Sequence, residues 1–242
     1  MSAEINRMLS GKGFLWAILL GGMGIVLGAP YPKMDKLLQP GSFLALEGTA
    51  LYSQTASFFL PIIAVLPWSD SFLEEWKGGY LKSCLPRTGR REYVENKILT
   101  VALGGFLAWM TAGITVLFCF FVVFFPCEKQ GGISPEEVSA LFAIMIRGGV
   151  IAAILGSLGG LCGAITGSVY MAYGLPFVGY YFCMILYERY FPKAFWIYPK
   201  EWIAGSRSWG KNDQGLWLFL LLFLAVSVTV HREILYEKLE EI

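Results

Sequence analysis

Long stretches without any charged residue alternate with short polar segments along this sequence. Each stretch has between 18 and 40 residues, and a helix that crosses the hydrocarbon core of a bilayer needs about 20 mostly apolar residues. The pattern therefore predicts an all-α integral membrane protein. The charge-free stretches are 13–32, 48–69, 98–127, 148–187 and 214–231.

The stretch 148–187 is too long for a single crossing. Its 40 residues would form a helix of about 60 Å, twice the thickness of the hydrocarbon core. We expect the chain to turn back at the polar residues 166–168, which gives six transmembrane helices. The predicted spans are roughly 13–29, 46–67, 98–125, 146–165, 169–188 and 214–231.

Composition and charge narrow the class of protein further. Hydrophobic residues make up 56% of the 242 residues and charged residues only 15%, whereas soluble domains carry about 25% charged residues. This excludes a disordered chain and an ordinary soluble enzyme. The net charge of +1 offers no attraction for nucleic acid. The cysteines lack a C-x-x-C pair and His231 is the only histidine, so we predict no metal site.

The polar segment 69–97 has the clearest organisation outside the spans. Ser71 and Glu74 have capping-box spacing, and Phe72, Trp76 and Tyr80 fall on one side of a helical wheel. We predict a short amphipathic helix over 71–82. Its aromatic side could lie among lipid headgroups or could enter a groove on a soluble partner.

The residues of this segment resemble a known family. Glu74 to Leu81 (EEWKGGYL), Leu85 to Arg90 (LPRTGR), Tyr93 and Lys97 are similar to the cytoplasmic connection between spans two and three of type-2 ABC exporter permeases. The resemblance implies a single permease domain over 1–242 with both termini in the cytoplasm of a bacterial cell. It places the coupling segment 69–97 in the cytoplasm and the loop 189–213 outside the cell membrane.

The same resemblance implies partners and a function. Two copies of an ABC ATPase subunit would bind ATP and Mg²⁺, and a second permease, identical or homologous, would complete the transporter in the lipid bilayer. The complex would export an amphipathic substrate (a peptide, an antibiotic or a lipid-like molecule) by alternating access. The residues implied in ATPase docking are Phe72, Leu73, Glu74, Glu75, Trp76, Gly78, Tyr80, Leu81, Leu85, Pro86, Arg87 and Thr88.

Two other classes of function remain open on the sequence. The chain could be an energy-independent pore or a structural membrane protein whose helix at 71–82 lies on lipid, or a membrane-embedded enzyme. Gly205 to Asn212 nearly matches the phosphate-binding pattern G-x-x-x-x-G-K-[ST]. However, Asn212 replaces the hydroxyl that holds magnesium and no predicted strand precedes it. We therefore expect no cofactor in this chain, no catalytic residue and no ATP hydrolysis.

Several residues within and beside the spans are candidates for substrate contact or helix packing. Tyr52, Gln54 and Thr55 could line a substrate path or bond to neighbouring helices. Arg147 follows the capping box at Ser134, and we expect its side chain to reach the membrane interface.

Gly156, Gly160 and Gly163 favour close helix packing within the subunit over a dimer seam. By the family resemblance, Gly24 and Gly28 are the alternative dimer seam, and short re-entrant helices are expected in 189–213.

Overall fold

The computed structural model describes residues 2–31, 38–129, 131–210 and 213–240. Within these ranges the regular elements are helices, apart from an isolated bridge between Leu38 and Glu128. The helices are α1 (Ser2–Leu9), α2 (Lys12–Gly28), α3 (Ser42–Leu51), α4 (Gln54–Val65), α5 (Ser71–Lys77), α6 (Tyr80–Thr88), α7 (Arg90–Phe124), α8 (Pro135–Thr166), α9 (Val169–Ile185), α10 (Pro199–Ala204) and α11 (Gln214–Glu240).

Four helical segments in the described chain are long and apolar enough to cross a membrane. They are Arg90–Cys127, Pro135–Thr166, Val169–Tyr190 and Gln214–Glu240, and the bent pair α3 and α4 raises the number to five. Helix α2 is apolar but has only 17 residues. The prediction of an all-helical chain is confirmed over the described residues, and the four to five candidate spans are compatible with a multi-pass membrane protein. The count of six spans is not confirmed.

The second predicted span, 46–67, is broken in the structure. Helices α3 and α4 meet at an angle of 63°. The Ser53 hydroxyl accepts a hydrogen bond from the Ala56 amide at 3.2 Å and so caps the first turn of α4. A new N-cap inside an apolar run supplies an acceptor for amides that the preceding helix leaves unpaired. The single straight helix expected here is therefore wrong.

Helix α8 begins where the sequence predicts and continues further than expected. The Ser134 hydroxyl accepts from the Glu137 amide at 3.2 Å, and Pro135 occupies the first helical position, which confirms Ser134 as the N-cap of this helix. The helix then runs without a break to Thr166, about 48 Å at 1.5 Å per residue. One helix therefore covers both the capped start at Ser134 and the predicted span 146–165. The turn predicted at 166–168 is confirmed, with Gly167 at φ +64°.

Small residues let α8 pack closely against its neighbours within the same chain. A Cβ at Gly156 would lie 2.9 Å from the Ala64 carbonyl oxygen and 3.3 Å from that of Val101. A Cβ at Gly163 would lie 3.0 Å from the Ala172 Cβ. The absence of a side chain at these glycines thus lets α8 approach α4, α7 and α9 of the same chain closely.

Gly160 packs against the last helix, which extends beyond its predicted end. Helix α11 continues to Glu240, and His231 therefore lies within it, 1% exposed, instead of at the predicted end of the span. A Cβ at Gly160 would lie 2.5 Å from the His231 ring. The imidazole is thus packed against α8.

The glycines of α2 face α4 of the same chain. A Cβ at Gly24 would lie 2.7 Å from the Phe59 ring, and Gly28 touches the side chains of Ser53 and Thr55. Because α4 already covers this side of α2, Gly24 and Gly28 are not free to form the predicted dimer seam.

Candidate docking surface and the ion cluster beneath it

The segment predicted to be one amphipathic helix is a pair of short helices. Helix α5 ends at Lys77, Gly78 and Gly79 form the turn, and α6 begins at Tyr80. Gly79 has φ +71°, a left-handed conformation that favours glycine. The predicted capping box at Ser71 is wrong, because α5 has no side-chain cap and the Ser71 hydroxyl is buried without a partner. We call α5, the turn and α6 the hairpin.

The apolar side of the hairpin faces the chain's own helices. Phe72 and Leu81 are 2% and 1% exposed, and they pack with Tyr93 of α7 and with Leu235 of α11. Leu73, 1% exposed, packs against Gly163 of α8. These side chains are therefore core residues of the described structure, which corrects their predicted role as surface anchors. Within the hairpin, Trp76 is half-buried and stacks on Phe72, with ring centroids 6.0 Å apart.

The remaining predicted docking residues differ in exposure. The exposed ones are Glu74, Gly78, Tyr80, Pro86 and Arg87, the half-buried ones are Trp76, Leu85 and Thr88, and the buried ones are Phe72, Leu73, Glu75 and Leu81. The surface that the hairpin offers to a partner is thus polar and charged, with Tyr80 as its most prominent aromatic residue, 53% exposed.

Lys97 of α7 lies at the centre of a buried ion cluster behind the hairpin. Its side chain is fully buried, and its ammonium nitrogen is 2.8 Å from Glu75 Oε2 and 3.1 Å from Glu4 Oε1. The ammonium also lies 5.7 Å from the centre of the Trp68 ring and 5.4 Å from that of Tyr93. A buried ammonium is tolerated when carboxylates and aromatic faces surround it in this way.

Glu75 connects the hairpin to two other helices. Its Oε1 accepts from the Arg7 guanidinium of α1 at 3.1 Å. Its Oε2, besides its contact with Lys97, accepts from the Tyr93 hydroxyl at 2.6 Å. One carboxylate therefore joins α1, α5 and α7. The ion cluster, as we use the term below, consists of Glu4, Arg7, Trp68, Glu75, Tyr93 and Lys97.

A polar groove of about 290 Å³ opens beside the ion cluster. It is bordered by Glu4 and Arg7 from α1, by Tyr80 and Thr88 from α6, and by Glu92 from α7. The groove gives the hairpin a recessed, mostly acidic side next to its exposed basic residues. The arrangement is suited to binding a side chain of a soluble protein, since both signs of charge are presented at fixed positions.

The residues proposed for a substrate path are engaged at the break between α3 and α4. The Ser53 and Thr55 hydroxyls are 3.1 Å apart, and the Gln54 side-chain oxygen accepts from the Lys200 ammonium of α10. Tyr52 is 37% exposed. Of the two interpretations left open, the structure shows a bond to another helix for Gln54, whereas the Thr55 hydroxyl lies beside Ser53 at the start of its own helix.

Arg147 forms a second buried charge site at the opposite ends of α8 and α11. Its guanidinium is 7% exposed, lies 3.6 Å from Asp213 Oδ2, and donates to the Ala204 carbonyl oxygen at 3.4 Å. It also contacts Gly205, the C-cap of α10. The expectation that Arg147 reaches the membrane interface is wrong, because the long helix α8 directs it into the chain.

The loop 189–213 carries the expected short helix, α10. Glu201 of α10 is 5% exposed and accepts from the Ser206 hydroxyl and the Arg207 amide. Tyr198 stacks on Tyr187, with centroids 4.4 Å apart. Burial, and secondarily the nearby carboxylate of Glu188, raises the pKa of Tyr198, so its phenol stays neutral. Lys211 and Asn212 of the phosphate-loop-like pattern lie outside the described residues.

The sequence patterns did not predict that the residues of the ion cluster meet. Glu4 and Arg7 of α1 are far from Lys97 in sequence, and no local pattern links them to it. The available signal was Lys97 itself, a charge placed directly before the 98–127 apolar run. Within the described ranges, no group of three or more His, Cys, Asp or Glu side chains could hold a metal ion.

No protein-family model matches the chain, and no curated protein matches it.

Proposed function

We propose that this chain is the membrane-spanning permease subunit of an ATP-driven exporter of the type-2 ABC class, and that the hairpin docks its ATPase. The observation that carries the proposal is the buried ion cluster behind an exposed, charged hairpin. A motor protein outside the membrane can move the helices only through an element that is rigidly joined to them. Glu75 and Lys97 supply that connection, since their charges meet at 2.8 Å.

The burial of the hairpin's apolar side supports docking over simple adsorption to lipid. An interfacial helix inserts its apolar face among the acyl chains. Here Phe72, Leu73 and Leu81 are covered by the chain's own helices, so the hairpin has little apolar surface left for lipid. Its exposed residues, among them Glu74 and Arg87, suit the rim of a protein interface better.

The resemblance supports the same conclusion from the sequence. Glu75 and Lys97 both belong to the residues that resemble the family's connection, and they pair in the structure. In this proposal ATP and Mg²⁺ belong to the ATPase subunits, two permeases pair, both termini face the cytoplasm, and the substrate is amphipathic. The loop 189–213 with α10 lies on the outer side of the bilayer.

Co-purification with an ABC ATPase encoded beside this chain tests the docking role. Arg87→Glu and Tyr80→Ala change exposed hairpin residues, so we expect each variant to insert normally while recovering at least about tenfold less ATPase. A tenfold loss corresponds to about 1.4 kcal/mol, a common effect for an interface residue of this kind. The measurement is the ATPase-to-permease ratio after affinity purification from membranes.

Lys193→Ala is the matched control, because Lys193 is an exposed cation in the outer loop. It should leave ATPase recovery unchanged. If the hairpin variants keep the full complex and full transport, or if the wild-type chain binds no such ATPase, the proposed docking role is wrong. Transport that persists without any ATPase would favour the energy-independent pore.

A further inference from the structure

Glu47 is a buried acid without a partner on α3. Its side chain is 0% exposed, and neither carboxyl oxygen accepts a hydrogen bond in the structure. Together with α4, the helix that carries it is apolar enough to cross a membrane. An ionisable side chain in such a position marks a functional site more often than a structural one.

The surroundings of this carboxyl group are apolar and small. It faces Gly113 of α7, where a Cβ would lie 3.8 Å from Glu47 Oε1 and 2.8 Å from the Met145 methyl group of α8. Leu51, one turn further along α3, contacts the same glycine. The absence of a side chain at Gly113 leaves the space that the carboxyl group occupies between α3, α7 and α8.

The charged side chains near α3 make their contacts with residues other than Glu47. Arg147 of α8 faces Ala204 and Asp213. Glu128 and Glu137 lie at the first residues of α3, about 8 Å along the helix from Glu47.

The other elements packed against α3 bring few titratable groups. Residues 13–28 of α2, 54–65 of α4 and 98–124 of α7 contain no charged residue. Cys119 of α7 is exposed, and Tyr52, which follows α3, is 37% exposed. No described cation is therefore placed to neutralise a Glu47 carboxylate.

A proton is the ligand that this site can hold. An isolated carboxylate in apolar surroundings is so unfavourable that the group takes up a proton or pairs with a cation. The described cavity beside α3, of about 410 Å³, is lined by Leu44, Ala45 and Gly48 on another face of the helix. A hydrated cation in that cavity would not face the Glu47 carboxyl group.

We propose that Glu47 is a proton-binding site within the membrane-embedded part of the chain. The carboxyl group carries a proton while α3 packs against Gly113. When α3 moves away and water enters, the O–H bond of the acid breaks and a water molecule accepts the proton. Movement of α3 is thereby coupled to proton release, independently of whether the hairpin binds an ATPase.

Infrared spectroscopy of the full chain in lipid nanodiscs tests this site. Exposed glutamates have a pKa near 4.3, so at pH 7 a protonated glutamate must be a shielded one. We expect a carboxylic-acid carbonyl band at pH 7 that shifts when glutamate is labelled with ¹³C. The band should be absent from Glu47→Gln and should persist in Glu136→Gln, which changes an exposed glutamate of α8.

Glu47→Asp keeps the test decisive if the amide variant does not fold. In that variant the acid band should lose its response to ¹³C-glutamate, because the protonated group is then an aspartate. The proposal is overturned if wild-type protein shows no labelled acid band at pH 7, or if the band survives in both variants. A band that disappears when sodium chloride is raised to about 1 M, where surface charges are fully screened, would show that the ligand is a cation.

Discussion

At the scale of single residues, the buried charges are the most consequential feature of this chain. Lys97 and Glu75 are 0% and 5% exposed, and each has more than one partner. A buried pair of this kind contributes little net stability relative to an apolar pair, but removing one partner leaves the other charge buried and alone. Removing one partner of the pair between Arg91 and Glu95 on α7 should cost less, because that pair is exposed.

Replacing Lys97 by methionine should destabilise the protein strongly. The variant fills a similar volume but leaves Glu4 and Glu75 without their ammonium partner, and we expect a loss of about 3–5 kcal/mol. Thermal unfolding in detergent measures the loss. Adding Glu75→Gln to Lys97→Met should recover part of it, because that double variant removes a stranded carboxylate.

The matched control for this prediction is Arg91→Met, which disrupts a pair whose arginine side chain is 81% exposed. It should change stability by less than about 1 kcal/mol. Equal losses in Lys97→Met and Arg91→Met would contradict the assignment of Lys97 to a buried cluster.

At the scale of helices, glycine positions decide how closely the elements approach. Gly156 places α8 against backbone carbonyls of α4 and α7, and a backbone oxygen cannot move aside as a flexible side chain can. Gly174 of α9 has nothing within 4 Å of the position that a Cβ would take. Helix packing therefore requires a glycine at position 156 but not at position 174.

Gly156→Ala should therefore destabilise the chain by about 1–3 kcal/mol through overpacking. Gly174→Ala should be neutral or stabilising by up to about 1 kcal/mol, since alanine favours a helix interior. Unfolding by heat or denaturant in the same detergent compares the two variants. A Gly156→Ala protein as stable as Gly174→Ala would disprove the close contact between α8 and α4.

At the scale of the whole molecule, the long helix α8 joins the hairpin to the buried site around Arg147. Gly163, near its end, packs against Leu73 of the hairpin. Arg147, nearer its beginning, holds the C-terminal end of α10 and pairs with Asp213 before α11. The part of α8 between Arg147 and Gly163, about 24 Å of helix, thus links the loop 189–213 to the hairpin, which any mechanism that couples the two ends requires.

Arg147→Gln should loosen that loop without unfolding the chain. Losing the contacts to Ala204 and Asp213 lowers the local free energy of opening, and we expect amide exchange in 199–210 to accelerate about tenfold. Hydrogen–deuterium exchange with mass spectrometry measures it. Arg91→Gln, at an exposed pair on α7, should leave exchange in this loop unchanged. Equal acceleration in both variants would contradict the role of Arg147 in holding the loop.

The class of this protein and several of its helix ends follow from local sequence patterns. Charge-free runs of 18 residues or more leave few structures other than helices in a membrane, and the cap at Ser134 and the turn at Gly167 follow from local backbone chemistry. Such features depend on residues near one another in the chain, so a pattern along the sequence is enough to find them.

Which helix faces are buried and which charges meet depends on how the helices pack together. Phe72 and Leu73 have the same amphipathic pattern whether lipid, a partner or the chain's own helices cover them. Likewise, no local rule brings Glu4 to Lys97 or turns Arg147 toward Asp213. These outcomes depend on contacts between residues far apart in sequence, and packing at those contacts selects among arrangements that the local pattern leaves equally favourable.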